Sequence, residues 1–134
     1  MRAAILFIGV LLLFSGCISA SNSRLLDSYE KARVEDIVEL HIKRIPTYQV
    51  GGTTLRQSSM FNINCVVGNQ NEDVNSNSCW DASYTFISAY DGYGYRDNLK
   101  ATETNHTIKI KLKDDIVIYS VIDNRWDTLS QSDI

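Results

Sequence analysis

Several features that define common protein classes are scarce in this chain of 134 residues. It has one proline and two histidines, and it has no long polar tract and no stripe of basic residues. With hydrophobic residues at 44%, the missing polar tracts argue against intrinsic disorder. A net charge of −3 without a basic stripe excludes nucleic-acid binding as the main role, because phosphate contacts need clustered Lys and Arg. The length limits the chain to one domain.

Catalytic and metal-binding patterns are also lacking. His41 falls near the end of a predicted helix and His106 at the start of a predicted strand, and neither has another ligand residue at a metal-site spacing. A histidine near a helix end is typically a capping or dipole partner. Cys65 and Cys79 have 13 residues between them, unlike the CxxC spacing that tunes a reactive thiolate. We therefore predict a non-enzyme with no catalytic residue, no metal and no cofactor.

The amino terminus has the layout of an export signal. Met1-Arg2 supplies a short positive region, and an uninterrupted apolar run of 12 residues follows from Ala3 to Phe14. A membrane-spanning helix needs about 20 such residues, so the run fits the hydrophobic part of a secretory signal instead. We predict a signal peptide over residues 1–16.

The end of that signal, Leu13-Phe14-Ser15-Gly16-Cys17, resembles the lipobox of bacterial lipoproteins. The resemblance implies that Cys17 carries lipid and becomes the first residue of the mature chain. In enterobacterial members of this class an aspartate after the cysteine signals inner-membrane retention. Here Ile18 follows, which favours an outer-membrane anchor facing the periplasm. The alternative is ordinary cleavage after Ala20, which gives a secreted protein without lipid.

The cysteine count agrees with the lipobox, because three cysteines in an exported protein leave one unpaired. If Cys17 carries lipid, Cys65 and Cys79 remain as a disulfide pair. That bridge closes a loop of 15 residues and contributes about 3 kcal/mol by the chain-entropy estimate. The alternative is that Cys65 and Cys79 are two buried thiols.

The mature chain begins with a short polar segment, residues 17–23, predicted as lipid anchor and tether, and residues 24–134 are predicted to form a single α+β domain. Ser23 can cap a helix from Arg24 to about Ile42, and Pro46 stops anything beyond it. The apolar positions of this helix recur at spacings of three and four, which predicts an amphipathic helix packed on a sheet. They are Leu26, Tyr29, Val34, Ile37, Val38 and Ile42.

After Pro46 the apolar period changes to two, which predicts strands. The expected strands are residues 47–55, broken by Gly51-Gly52, then 61–67, 80–90, 108–113 and 116–122. The last is apolar at nearly every position and is expected to be covered on both faces. Lys113-Asp114-Asp115 predicts a tight turn. The predicted fold class is α+β, with the amino-terminal helix packed on a four- to five-stranded antiparallel meander.

Two exposed features could bind a partner. Tyr90, Tyr93 and Tyr95 lie at the end of the longest predicted strand, where exposed aromatic residues can anchor contacts. The lysines that alternate with the apolar face of the 108–113 strand predict a solvated basic row. These lysines are Lys109, Lys111 and Lys113.

Our leading functional hypothesis is a non-catalytic, lipid-anchored envelope protein that serves as a binding or assembly accessory of a larger machine of the pilus or secretion type. Its expected partners are the membrane, through lipid at Cys17, and an envelope protein. One alternative is a small periplasmic or secreted inhibitor or immunity protein. Another is a ligand carrier or hydrolase with a cystatin-like or NTF2-like fold.

Overall fold

The computed structural model describes residues 19–64, 78–95 and 98–134. The predicted signal peptide, Cys17 and Cys65 lie outside these residues. The chain divides into two units, Met1–Arg33 and Val34–Ile134. The packing and the site considered below lie within the second unit.

In the part of the chain that the structure describes, two helices precede the sheet. α1 spans Ser19–Arg44 and α2 spans Pro46–Gln49. α1 starts inside the segment predicted as a tether, ahead of the expected cap at Ser23. Once a helical turn exists, each added residue gains a hydrogen bond at little cost, so the helix runs back through Ser and Asn residues. Pro46 does end α1, but it also begins α2, because its fixed φ suits the first position of a helix.

The segment after Pro46 therefore corrects one sequence expectation. Residues 47–50 were expected to form a strand, but Thr47 to Gln49 are helical and the amide of Val50 donates to the Pro46 carbonyl. The chain then turns at Gly51, whose φ of +126° favours glycine. The first strand begins only at Thr53.

Six strands form one antiparallel sheet in the described residues, and their spatial order is their order in the sequence. Four strands are long and the last two contain two residues each. Their bounds are β1 Thr53–Asn64, β2 Ser78–Asp91, β3 Lys100–Lys113, β4 Ile116–Ile122, β5 Trp126–Asp127 and β6 Ser132–Asp133. The helix and antiparallel sheet agree with the α+β class, although the two short strands were not predicted. Asp114 and Asp115 both have positive φ, as a tight hairpin turn between β3 and β4 requires.

One face of the sheet packs against the second half of α1. Val34, Val38 and Ile42 are spaced by one helical turn and are almost fully buried. They share a core cluster with alternate residues of the strands, since side chains two apart in a strand lie on the same face. The strand residues of this cluster are Trp80, Ala82, Tyr84, Phe86, Ile108, Ile110, Leu112, Ile122 and Trp126. Tyr29 lies in the first unit and is 75% exposed.

The other face of the sheet corrects a second expectation. β4 was expected to be covered on both faces, yet Ile116, Ile118 and Tyr119 are exposed and only Ser120–Ile122 is buried. The short β5 pairs with Val121 and Ile122 alone. The first half of β4 therefore pairs with β3 on one side and lies beyond the end of β5 on the other. Among the described residues, no helix is long and apolar enough to cross a membrane.

Candidate functional site: the open face of the sheet

Strand register brings exposed aromatic and charged residues into one row across the sheet. Phe61 of β1 pairs with Asp81 of β2, Asp81 pairs with Lys111 of β3, and Lys111 pairs with Tyr119 of β4. The row thus runs across four adjacent strands, and an aromatic ring stands at each end. Phe61 is 50% exposed and Tyr119 is 38% exposed.

The centre of this row is held by contacts of Lys111. Its Nζ lies 3.9 Å from Oδ2 of Asp81 and 5.8 Å from the centre of the Tyr119 ring. The first distance exceeds that of a normal hydrogen bond, so the ion pair is loose, and the second is within the range of a cation–π contact. The Lys111 side chain is 49% exposed. It can exchange these weak contacts for stronger ones with a bound molecule.

Two flanking rows complete the surface. On one side, Ser59, Ser83 and Lys109 are aligned across β1, β2 and β3, and Lys109 donates to Oδ1 of Asn124 at 2.9 Å. On the other side, a second row aligns apolar side chains with a third lysine. Its members are Ile63, Cys79, Lys113 and Ile116.

We refer to this side of the sheet as the open face. It consists of Ser59, Phe61, Ile63, Asp81, Ser83, Lys109, Lys111, Lys113, Ile116 and Tyr119. Most of these residues line a shallow, open depression. Three lysines and one aspartate give the open face a charge of +2 in a chain whose net charge is −3, so the rest of the chain carries −5. The positive charge is concentrated where the aromatic rings are exposed.

The predicted tyrosine site has only partly the expected form. Tyr93 turns inward, stacks on Trp126 with ring centres 5.8 Å apart, and donates through Oη to Oδ2 of Asp123 at 3.1 Å. Burial, and then the negative charge of Asp123, raise the pKa of Tyr93. Tyr90 and Tyr95 are exposed, and the Tyr95 hydroxyl donates to Oε1 of Gln49. The structure does not bring these three tyrosines together with the open face.

Gly94 allows the turn after β2 to pack against the core. Its φ is +70°, its amide donates to Oγ1 of Thr47 at 2.8 Å, and an added Cβ would lie 3.2 Å from the Trp126 ring. Only glycine permits both this backbone conformation and this close approach.

His106 serves the fold. It lies within β3 rather than at its start, and it is almost fully buried between the rings of Phe86 and Tyr93. Its Nδ1 is 2.7 Å from Oδ2 of Asp123, while its Nε2 has no hydrogen-bond partner within the described residues. A carboxylate accepts but does not donate, so Nδ1 donates to Asp123.

His41 likewise forms part of a structural network. It lies in the last turn of α1, where its Nε2 is hydrogen-bonded to Oγ of Ser120 at 2.9 Å, and Ser120 Oγ accepts from Oγ1 of Thr128 at 2.6 Å. Ser120 and Thr128 are buried, so these hydrogen bonds connect the helix to β4 and to the turn after β5. Burial lowers the pKa of His41. Among the described residues no three His, Cys, Asp or Glu side chains form a group that could hold a metal ion.

Cys79 is disulfide-bonded and buried at the start of β2. It pairs in the sheet with Ile63, two residues before Cys65, and the last described pair is Asn64 with Ser78. The strand ends therefore bring the residues adjacent to Cys65 beside Cys79. The bridge between Cys65 and Cys79 stays a prediction, since Cys65 lies outside the described residues.

The sequence pointed to the three lysines of the open face. Alternation within β3 indicated the lysine row, because a single strand determines it. Phe61, Asp81 and Tyr119 were not predicted, since their alignment with Lys111 depends on the register between strands distant in the sequence. Comparisons with protein-family models, with curated proteins and with solved structures gave no match for this chain.

Proposed function

We propose that this protein is a non-catalytic, lipid-anchored binding module of a bacterial envelope, and that the open face of its sheet docks on a partner protein. In this proposal Cys17 carries the lipid, and the α+β domain faces the periplasm from the outer membrane. The domain serves as an accessory of a larger envelope assembly of the pilus or secretion type. Within the described residues of the second unit, the helix packs on one side of the sheet and the open face lies on the opposite side.

The row from Phe61 to Tyr119 carries the proposal. Exposed aromatic rings at the margins of a patch supply large contact area at little entropic cost, and they are enriched at protein interfaces. Lys111 between them is paired only loosely with Asp81. Docking of a partner on this surface is favourable, because it removes the rings from water and offers the lysine a hydrogen-bond acceptor.

The placement of the histidines supports a binding role over a catalytic one. A general base must reach the proton it abstracts, and a nucleophile must be reached by its substrate. His41 and Ser120 are bonded to each other, but Ser120 is 1% exposed. His106 is also 1% exposed and is held by Asp123. Both histidines act as connectors within the fold.

Site-specific photo-crosslinking in the cells that make the protein tests the proposal. A photoreactive phenylalanine derivative replaces Phe61 or Tyr119 in the full chain, and a third variant carries it at Tyr95, which is 67% exposed but lies off the open face. We expect positions 61 and 119 to give the same discrete protein adduct and position 95 to give none. Adding Lys111→Glu to the position 61 variant should abolish the adduct. An equal adduct from position 95, or none from positions 61 and 119, would refute the proposal.

A further inference from the structure

We infer that the segment recognised by the open face is a short, extended acidic peptide of the partner protein, with acidic residues at alternate positions, lying along β3 between Phe61 and Tyr119. This inference rests on the proposed function and specifies the chemistry of the partner. The three lysines of the open face provide the argument.

The spacing of the lysines matches an extended chain. Lys109, Lys111 and Lys113 alternate along one face of β3. The backbone positions of successive lysines are therefore about 7 Å apart along the strand. An extended peptide with acidic residues at every second position presents its carboxylates at the same interval. A helical segment repeats a face every three or four residues and would not match all three lysines.

The lysines also have capacity for new partners. Among the described residues, neither Lys109 nor Lys113 has a carboxylate within ion-pair distance, and Lys109 bonds to the neutral amide of Asn124. Lys111 has only the loose pair with Asp81. Three acceptors from one peptide would therefore meet two unpaired cations and one weakly paired cation.

The width of the surface fits one extended chain. Three inter-strand spacings of about 4.8 Å separate β1 from β4, so Phe61 and Tyr119 stand about 14 Å apart at their backbones. Extended chains that pack face to face on a sheet lie about 10 Å from it, and their side chains reach down to it. The two rings then cover the flanks of the bound segment, and the lysines and Ser83 form the floor.

The length of the basic strip favours a short peptide over a long polyanion. From Lys109 to Lys113 the strip is about 14 Å long at about 3.4 Å per residue. Beyond Lys113 the hairpin turn presents two exposed carboxylates, Asp114 and Asp115. A continuous polyanion such as an acidic polysaccharide would run into these carboxylates and into a chain whose remaining charge is −5. A five-residue segment with three acidic residues ends before it meets them.

Peptide binding to the detergent-solubilised full chain tests this inference. The probe is a fluorescent acetyl-Glu-Val-Glu-Val-Glu-amide peptide, compared with its permutation acetyl-Val-Val-Glu-Glu-Glu-amide and with a heparin oligosaccharide. We expect saturable binding of the alternating peptide that weakens with added salt, and weaker binding of the other two probes. The double variant Lys109→Gln, Lys113→Gln should weaken the alternating peptide about five- to tenfold. Lys100→Gln, at the far end of β3, should leave it unchanged.

The outcomes separate this inference from the proposed function. Equal affinity for the alternating and permuted peptides, tighter binding of the oligosaccharide, or equal weakening by Lys100→Gln would each overturn the inference. If Phe61 and Tyr119 positions still crosslink to one protein while the alternating peptide does not bind, the docking surface stands and only the acidic-strand partner is wrong. If neither experiment succeeds, the proposed function fails as well.

Discussion

Asp123 accepts a hydrogen bond from Nδ1 of the buried His106 at 2.7 Å. The same carboxylate accepts from Tyr93 Oη at 3.1 Å through Oδ2 and from the Thr107 amide at 2.7 Å through Oδ1. One side chain in the turn after β4 thus satisfies three donors from β3 and from the turn after β2. The aromatic cluster at this end of the core depends on it.

We expect Asp123→Ala to lower the free energy of unfolding by about 2–3 kcal/mol, because it leaves a buried imidazole donor without an acceptor. Urea denaturation at neutral pH measures the change. Asp114→Ala is the matched control, since Asp114 also has positive φ in a tight turn but is exposed. If both variants lose the same free energy of unfolding, the loss comes from backbone strain at positive φ and not from the missing contact with His106.

The burial of His41 predicts a pH dependence of stability. Burial lowers the pKa of His41 below its usual value of 6.5, so the folded protein resists a proton that the unfolded chain accepts. As pH falls through about 6.5 the unfolded state binds more protons, and the free energy of unfolding decreases. Above that pH the contribution of His41 is constant.

His41→Gln tests the origin of this slope. The glutamine side chain can form a hydrogen bond with Ser120 without titrating, so we expect the variant to lose part of the stability decrease between about pH 5 and pH 7. Thermal unfolding of both proteins across that range gives the comparison. An unchanged slope would assign the pH dependence to other groups.

The sequence predicted the strands whose patterns are local. Alternation of apolar and polar residues located most of β2 and the second half of β3, and the pair Asp114-Asp115 located the hairpin between β3 and β4. Both signals are local, because side-chain period and turn conformation depend on neighbouring residues. α2 was missed, because the residues after Pro46 fit a strand as well as a single helical turn. Ile116 and Ile118 were placed in a covered strand, because an apolar run does not show where a neighbouring strand ends.

The candidate site was harder to predict, because it depends on contacts between distant segments. β1 contains two register irregularities, and a slip of one residue there would move Phe61 to the other face of the sheet. Tyr93 was expected at a binding surface, but it stacks on Trp126 of β5 and donates a hydrogen bond to Asp123 in the turn after β4. Whether an aromatic residue in a turn stays exposed depends on whether distant segments of the chain provide packing and hydrogen-bond partners for it.

The packing of α1 predicts a sharp difference between two of its residues. Ile42 is fully buried against the sheet and Leu40 is 49% exposed. We expect Ile42→Ala to cost about 2–5 kcal/mol through lost burial and the cavity left behind, and Leu40→Ala to stay within about 0.5 kcal/mol. Ile42→Val, at about 0.5–1.5 kcal/mol, supplies a measurable variant if the alanine protein does not fold. Similar losses at positions 40 and 42 would contradict the packing of this helix face.

The lipid anchor predicted at Cys17 is tested by Cys17→Ser. The serine hydroxyl cannot form the thioether that attaches diacylglycerol, so metabolic labelling with palmitate should disappear and the protein should leave the membrane fraction. Cys79→Ser is the matched control, because it changes a cysteine that has no part in lipidation. A Cys17→Ser protein that still labels with palmitate and still fractionates with membranes would show that the anchor lies elsewhere.

Cys79 is disulfide-bonded, and we predict that its partner is Cys65. If the partner is Cys65, Cys65→Ser should release the Cys79 thiol and lower the free energy of unfolding by about 3 kcal/mol, because the unfolded chain is no longer constrained by a closed loop. Cys17→Ser should leave the bond intact. Mass spectrometry of an unreduced digest identifies the joined peptides in each variant. A bridge that survives Cys65→Ser and disappears in Cys17→Ser would give Cys17 to the disulfide, and with it would remove the lipid anchor.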